Sequence, residues 1–552
     1  MPLIDPALKL LWSEARTPST RPLAVWQGPG EENRLSMIKH QGTTSSLPFR
    51  SHAAICLFLV TIMAKPFRSE AVTQSQIAVG NAKESVTLPP TPAGRQFAEW
   101  LQAFNAGDAN EIRSFIRKHF EDASLKRVSA EDRAVTNLIF HNATGGVIPY
   151  HIDWSTDPEI TVLAQAHLTD ELVRIHLEVG SDPLHHIKKF NLTLTGRPVA
   201  TDPTERLTET QILERLEAYV NKLVAADLFS GTVLVAKDAK PVFQKAYGLA
   251  NKQSNLANHL DTKFNVGSMD KMFTGVAIVQ LAEQGKLSLD DTIGKYLPDY
   301  PNKRAAEGVT IHQLLTHTSG MGDYFNARFE TAKPNLHSVN DYIPLFANER
   351  LSFAPGEKWQ YSNAGYIVLG AIIEQASRQS YFDYVKEHIC RPAGMGDTDF
   401  YETDRQTPNL AVGYTNIGQR GGPERLTRTE NLSILPLRGG PAGGGFSTVE
   451  DLLKFSLALR GHKLLSPKFT TLVVNGRVER DDEWGGSYAY GFAEDSVNGK
   501  RIVGYTAGYP GINGVFDMYL DLGYTVAVLS NYDPPSAQRI AYKLREMITR
   551  MQ

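Results

Sequence analysis

The run Phe264-Asn-Val-Gly-Ser268-Met-Asp-Lys271-Met-Phe-Thr-Gly-Val276 places a serine and a lysine three residues apart at the head of an apolar segment. On a helix, residues with that spacing share one face about one turn apart. Met272, Phe273, Val276, Ala277, Val279 and Leu281 continue the segment, which predicts a buried helix with Ser268 at its N-terminal end. There the helix dipole favours negative charge developing on a hydroxyl or on a substrate oxygen. A partly desolvated lysine one turn away can exchange protons with the serine. The spacing alone does not select the site, because Ser36-Met-Ile-Lys39 repeats it.

A serine nucleophile needs a base, and Tyr-x-Asn is the second candidate element. It occurs at Tyr219, Tyr300, Tyr324, Tyr361 and Tyr414, so context must choose. Pro355-Gly-Glu-Lys-Trp-Gln-Tyr361-Ser-Asn363 is a turn leading into the apolar stripe Ile367, Val368, Ala371 and Ile372. That context puts Tyr361 in a loop before a helix capped by Ser362 or Asn363.

Outward from these motifs, a helical pattern at Leu213, Leu216, Tyr219, Val220 and Leu223 leads to a hairpin of residues 231–236 and 241–246. Residues 514–520 and 524–529 read as strands, and a last amphipathic helix covers about 536–551. Strands at both ends with helices between imply one antiparallel sheet assembled from distant sequence and covered by helices, an α+β arrangement.

Upstream, apolar residues recur with helical period at Phe97, Trp100, Leu101 and Phe104, then at Ile112, Phe115, Ile116 and Phe120, with a break at Gly107-Asp108. Residues 160–168, 172–179 and 190–194 read as strands, so 93–203 forms a small α+β domain after a Pro-rich linker at 72–92. Among its histidines, His141, His151, His167, His176, His185 and His186 fall at no metal-ligand spacing. Residues 1–36 lack a sustained period and read as disordered or untranslated. Residues 37–71 carry Lys39, His40 and Arg50 ahead of the apolar run 53–64. That run is too short to span a bilayer but suits a signal peptide cleaved after Ala71, although a buried or interfacial helix would also fit. The mature chain would then be secreted or periplasmic, without a stable membrane span, and with Cys390 as its one cysteine. The 57 Lys+Arg against 60 Asp+Glu leave no basic footprint for nucleic acid.

The segment 204–552 resembles the serine β-lactamase-related hydrolases of the class C type, which include D-alanyl-D-alanine carboxypeptidases, D-aminopeptidases and esterases. The resemblance rests on Ser268-x-x-Lys271 and Tyr361-Ser-Asn363. It also rests on Ile311-His-Gln-Leu-Leu-Thr-His-Thr-Ser-Gly320, Phe353-Ala-Pro-Gly-Glu357, Arg391-Pro-Ala-Gly-Met395 and Pro441-Ala-Gly-Gly-Gly-Phe-Ser447, in this order. It implies a β-lactamase/transpeptidase-like fold, an acyl-enzyme on Ser268, a proton relay through Tyr361 with its proton affinity lowered by Lys271, and neither metal nor cofactor. Asn363 would bind the substrate amide or position Lys271. His317 and Ser319 would be turn and capping residues. The 93–203 segment loosely resembles the cystatin-like or nuclear-transport-factor-like cone domains found ahead of some exported serine hydrolases.

The family's third motif, Lys-Thr-Gly or His-Thr-Gly, has its counterpart in Gly504-Tyr505-Thr506-Ala507-Gly508. By resemblance Tyr505, Thr506 and Gly508 bind substrate, with the backbone N–H groups of Ser268 and Gly508 as oxyanion donors. Tyr505 brings no positive charge, so a substrate carboxylate would lose a charge-assisted hydrogen bond worth about 1.5–3 kcal/mol. Ala507 adds a methyl where substrate backbone would lie close. These departures favour a small ester or peptide over a β-lactam. They also leave open a catalytically weakened ligand-binding or regulatory module of the same fold.

Overall fold

The computed structural model describes residues 86–169, 171–198, 205–416, 427–480 and 485–551. The signal peptide expected at 37–71 and the stretch 1–36 expected to be disordered or untranslated lie outside these residues, as does most of the linker.

The N-terminal part begins with α1 (Pro92–Ala106), capped by the Thr91 hydroxyl and ended at Gly107 in the left-handed conformation. Next come α2 (Ala109–His119), capped by Asp108, and α3 (Ala130–Thr144), capped by Ser129. Four strands follow, β1 (Val147–Ser155), β2 (Glu159–Ala166), β3 (Glu171–Val179) and β4 (Ile187–Pro198), paired antiparallel in chain order. The helices lie on this meander through Phe97, Trp100, Phe104, Ile112, Ile116 and the strand residues Val162, Ile175 and Leu177. The break between the first two helices falls at Gly107-Asp108, as the periodicity predicts. Sequence periodicity did not expose α3 or β1: α3 carries only a sparse apolar face, and most of β1 is at least partly exposed.

The larger part opens with α4 (Glu209–Ala225) and the hairpin β5 (Gly231–Lys237) and β6 (Lys240–Tyr247). Its central helices are α5 (Asp270–Glu283), α6 (Asn363–Ser377) and α7 (Val449–Arg460). The remaining strands are β7 (Val478–Glu479), β8 (Ser487–Tyr488), β9 (Ala493–Val497), β10 (Lys500–Tyr509), β11 (Ile512–Tyr519) and β12 (Tyr524–Ser530). Helix α8 (Ser536–Ile548) follows them. One eight-stranded antiparallel sheet has the order β7-β8-β9-β10-β11-β12-β5-β6. Its first-made hairpin therefore pairs with its last-made strand, as the two-ended strand pattern requires.

Alternation along the central strands divides the sheet between two cores. Leu234, Ala236, Phe516, Met518, Ala527 and Leu529 face the helical region with α5, α6 and α7. Val233, Val235, Val515, Tyr519, Val526 and Val528 face the layer of α4 and α8. Every α5 residue from Asp270 to Leu281 is buried, the mark of a helix enclosed on all sides. Among the described residues no helix is long and apolar enough to cross a membrane.

Helix α8 also joins the two parts. Its Arg539 donates to both carboxylate oxygens of Glu171 on β3, at 3.0 and 2.7 Å, and to the Ala143 carbonyl at 3.3 Å. Both side chains of this ion pair are almost wholly buried. Tyr219 of α4 adds a hydrogen bond to the Thr169 carbonyl at 3.0 Å. Removing one member of a buried pair leaves an uncompensated charge, at a cost of about 3–5 kcal/mol. Glu171→Leu should therefore lose stability on that scale in denaturant titration, and the double replacement Glu171→Leu with Arg539→Met should recover most of it. Equal losses in the two variants would show that the packing, not the stranded charge, is responsible.

Candidate active site

Ser268 occupies the 3-10 turn Gly267–Met269 that feeds directly into α5. The turn is tight. Gly267 has φ +49°, its N–H donates to Asn265 Oδ1 at 2.9 Å, and a Cβ there would stand 3.3 Å from the Ala507 methyl. Lys271, in the first turn of α5, is fully buried. Its ammonium donates to Ser268 Oγ at 3.3 Å, to Asn363 Oδ1 at 2.7 Å and to the Ala442 carbonyl. A lysine has three N–H donors, and all three are committed. The Nζ also stands 4.8 Å from the centre of the Tyr361 ring.

Tyr361 lies just before α6, whose N-cap is Ser362, its hydroxyl accepting from Gly365 N at 2.9 Å. The Tyr361 hydroxyl donates to Ser268 Oγ at 2.8 Å. The structure thus brings Ser268, Lys271, Tyr361 and Asn363 together. Both ends of the Asn363 amide are engaged, the oxygen by Lys271 and the nitrogen by Asp323 Oδ2 at 2.8 Å. Of the two roles left open for Asn363, positioning Lys271 is the one this geometry serves.

Burial raises the Tyr361 phenol above its ordinary value more strongly than Lys271 lowers it. The expected net lowering of its proton affinity is therefore corrected: the lysine's pull is present, but desolvation prevails and the phenol is neutral. Tyr505 departs from expectation too. Its side chain is buried, and its hydroxyl donates to Tyr361 at 3.2 Å while receiving the hydroxyl of Tyr488 at 3.1 Å. Its hydroxyl is thus engaged with Tyr361. Thr506 is partly exposed and Gly508 exposed. Pairing of β9 with β10 ends at Gly504, so β10 beyond that point has an unpaired edge. The turn of Ser268 packs against this part of β10 through Gly267 and Ala507.

The glycines of 441–445 allow backbone to approach the helix head. A Cβ on Gly443 would meet the Gly267 carbonyl carbon at 3.0 Å, and one on Gly445 would meet Asp270 Oδ1 at 2.6 Å. The Gly445 N–H donates to Asp270 at 2.6 Å. His317, fully buried with φ +60°, accepts the Ser362 N–H on Nδ1 at 3.1 Å, so its ring is neutral and its other nitrogen carries the proton. Burial and Lys271 both hold its pKa well below the ordinary value. Its ring packs 4.6 Å from that of Tyr361. It thereby supports the Tyr361 loop. Sequence reasoning missed Tyr488, Asp323 and the Ala442 carbonyl; the glycine run was the one available signal, since it marks close backbone approach.

Asp270 lies beside Lys271, and burial pushes its carboxyl up from 3.8 to about 8 against the opposing pull of Gly445 N–H and Lys271. The native state therefore holds a proton that the unfolded chain has already released above its own, lower pKa. Stability falls as pH rises through that window, by at most about 1.4 kcal/mol per unit. Asp270→Asn removes the titration, so its stability relative to the unsubstituted chain should climb between about pH 5 and pH 8 in chemical denaturation. A pH-independent difference would show that Asp270 is ionised throughout.

Residues 216–547 match the sequence profile of the Beta-lactamase family. Penicillin-binding protein 4* of Bacillus subtilis is 32% identical over 320 residues, covering 55% of this chain and 68% of that protein. The putative penicillin-binding protein PbpX of the same organism is 34% identical over 240 residues, covering 44% of this chain and 57% of that protein. A crystal structure of a penicillin-binding protein from Bacillus halodurans superposes with a TM-score of 0.52 at 31% identity, covering 59% of this chain and 98% of that one. With the profile extending over more than half of the sequence, on the same antiparallel sheet and central helix that carry Ser268, the chain belongs to the Beta-lactamase family and is a serine hydrolase.

Proposed function

We propose that the protein cleaves an ester or amide carbonyl through an acyl-enzyme on Ser268. The observation that carries this reading is the convergence of Lys271 Nζ and Tyr361 Oη on Ser268 Oγ, at 3.3 and 2.8 Å. Because burial keeps Tyr361 neutral, it serves as a shuttle and not as a standing phenolate. Its phenol takes the serine proton as Oγ bonds to the carbonyl carbon, and gives its own proton to the departing alcohol or amine. The buried Lys271 ammonium steadies the negative charge that passes across Oγ and the phenol oxygen. In the second half the direction reverses: water gives a proton to Tyr361 as its oxygen attacks the ester, and the phenol proton returns to Ser268. The N–H groups of Ser268 and Gly508 are the oxyanion donors in this scheme.

Tyr505 supplies no cation and points its hydroxyl at Tyr361, which supports small ester or peptide substrates over penicillins and cephalosporins. The apolar run 53–64 behind basic residues supports export through a removable signal segment and work outside the cytoplasm. The catalytically weakened ligand-binding or regulatory module is the competing reading, and labelling separates the two.

A fluorophosphonate should add to the protein and not to the Ser268→Ala variant, as read by intact mass, and a short-chain nitrophenyl ester should be turned over faster than a penicillin. No adduct beyond that of the variant would favour the non-catalytic module. Tyr361→Phe should lower kcat by about 100- to 10,000-fold with little change in KM, since it removes the shuttle and leaves the cleft intact.

A further inference from the structure

An oxyanion donor on β10 is useful only if one peptide unit faces the right way. The Gly508 N–H and the Ala507 carbonyl belong to the same planar trans peptide, in which N–H and C=O point in opposite directions. The Ala507 carbonyl accepts Asn513 Nδ2 at 2.7 Å. Asn513 lies on β11, in register with Gly508 itself. The carbonyl therefore faces β11, and the Gly508 N–H faces the opposite way, toward the edge of β10 that β9 leaves unpaired beyond Gly504. The Ser268 turn packs on this same stretch, a Cβ on Gly267 standing 3.3 Å from the Ala507 methyl. Tilting the 507–508 peptide would change the angle between the two N–H groups that are to share one oxygen.

Asn513 is buried, and its amide has no freedom to turn. Its Oδ1 accepts the N–H groups of Ala537 at 2.8 Å and of Gln538 at 3.3 Å, both in the first turn of α8. The N-cap residue of that helix makes no side-chain cap bond, so a side chain from β11 satisfies these two N–H groups in its place. Its Nδ2 donates to Gln538 Oε1 at 3.1 Å as well as to Ala507. Reversing the amide would set its NH2 against two backbone N–H groups and its oxygen against the Ala507 carbonyl, so the surroundings dictate the orientation.

These bonds stand in series. The N–H groups at the positive end of α8 donate to the Asn513 amide, the amide donates to the Ala507 carbonyl, and the same peptide presents the Gly508 N–H. Each bond in such a chain polarises the next, which makes the last N–H a stronger donor. We propose that Asn513 is a positioning residue for the oxyanion site: its side-chain amide couples the first turn of α8 to the Ala507–Gly508 peptide, and so aims and strengthens the Gly508 N–H. The proposal rests on the reading of Ser268 as the nucleophile with Gly508 N–H as an oxyanion donor, and adds to it the group that sets that donor.

The test compares the full chain with Asn513→Asp, which keeps the size of the side chain and the acceptor for α8 but replaces the donor by a second oxygen, and with Asn513→Ala, which removes both. The substrates are nitrophenyl acetate and its thiono counterpart, whose sulfur accepts hydrogen bonds weakly and so draws little on the oxyanion donors. Asn513→Asp should lower kcat on the oxygen ester by about tenfold or more with little change in KM, a part of the roughly 100- to 1,000-fold that follows loss of a whole oxyanion donor. The thiono ester should lose much less, so the oxygen-to-thiono ratio of kcat should fall by nearly the same factor. Asn513→Ala should show the same fall in the ratio whatever it loses in Tm, and it decides the question if the Asp variant does not fold. Equal losses on the two esters would show that Asn513 supports only the fold, and an undiminished kcat would show that the peptide needs no such support. Either result, with hydrolysis that depends on Ser268, overturns the assignment of Asn513 and leaves the hydrolase reading standing. If the unsubstituted chain hydrolyses neither ester in a Ser268-dependent way, both readings fall.

Discussion

A lysine ammonium with no exposed surface survives in a protein interior only when each of its N–H groups has an acceptor, and the architecture around Lys271 is organised by that requirement. The acceptors come from three parts of the chain: the turn preceding α5, the first residue of α6 and the Pro441–Gly445 loop. Losing any one would leave a charged donor unsatisfied in a low-dielectric setting, which costs more than the bond itself contributes. The ammonium therefore fixes where two helices and a loop meet, and the serine and tyrosine acquire their positions as part of the same arrangement. His317 strengthens the junction from behind, since its neutral ring accepts the N–H of the very residue that caps α6.

Tyrosine at position 505 fits this setting for a related reason. A cation there would stand close to Tyr361 and add a second positive charge near Lys271 in a buried space. A phenol supplies a hydroxyl without that charge, and Tyr488 completes its hydrogen bonding. The three hydroxyls form a continuous chain ending on Ser268 Oγ, so the orientation of the Tyr361 hydroxyl is set by neutral groups.

Much of this was legible in the residues. The apolar period after Ser268, the two-ended strand pattern and the turn before α6 are local signals, and they led to the central helix, the antiparallel sheet and the placement of Tyr361. The segment 504–508 lies beside the turn of Ser268, yet the partners of Tyr505 could not be read, because they stand 144 and 17 positions away in sequence. The protonation of Tyr361 was misjudged for a similar reason: the lysine is visible in the sequence, whereas the depth of burial belongs to the packed fold. Helix α3 and strand β1 escaped because a sparse apolar face and an exposed edge strand carry little period to read. Asp323 gave no sign at all, since one acidic residue in a turn looks the same whether or not it holds the residue that positions Lys271.

Helix α8 serves two neighbours at once. Its first turn holds β11 and β10, since Asn513 accepts the Ala537 N–H and donates both to Gln538 and to the Ala507 carbonyl, while Pro534 packs where a side chain at Gly508 would need to be. One residue further on, Arg539 reaches into the N-terminal sheet for Glu171. The two parts are therefore joined through a buried ion pair. A chain begun at α4 would lose the Glu171 carboxylate and open the Arg539 guanidinium to water beside the very turn that braces β10, and anyone trimming this protein to a minimal enzyme must allow for position 539 before concluding anything about what the N-terminal part is for.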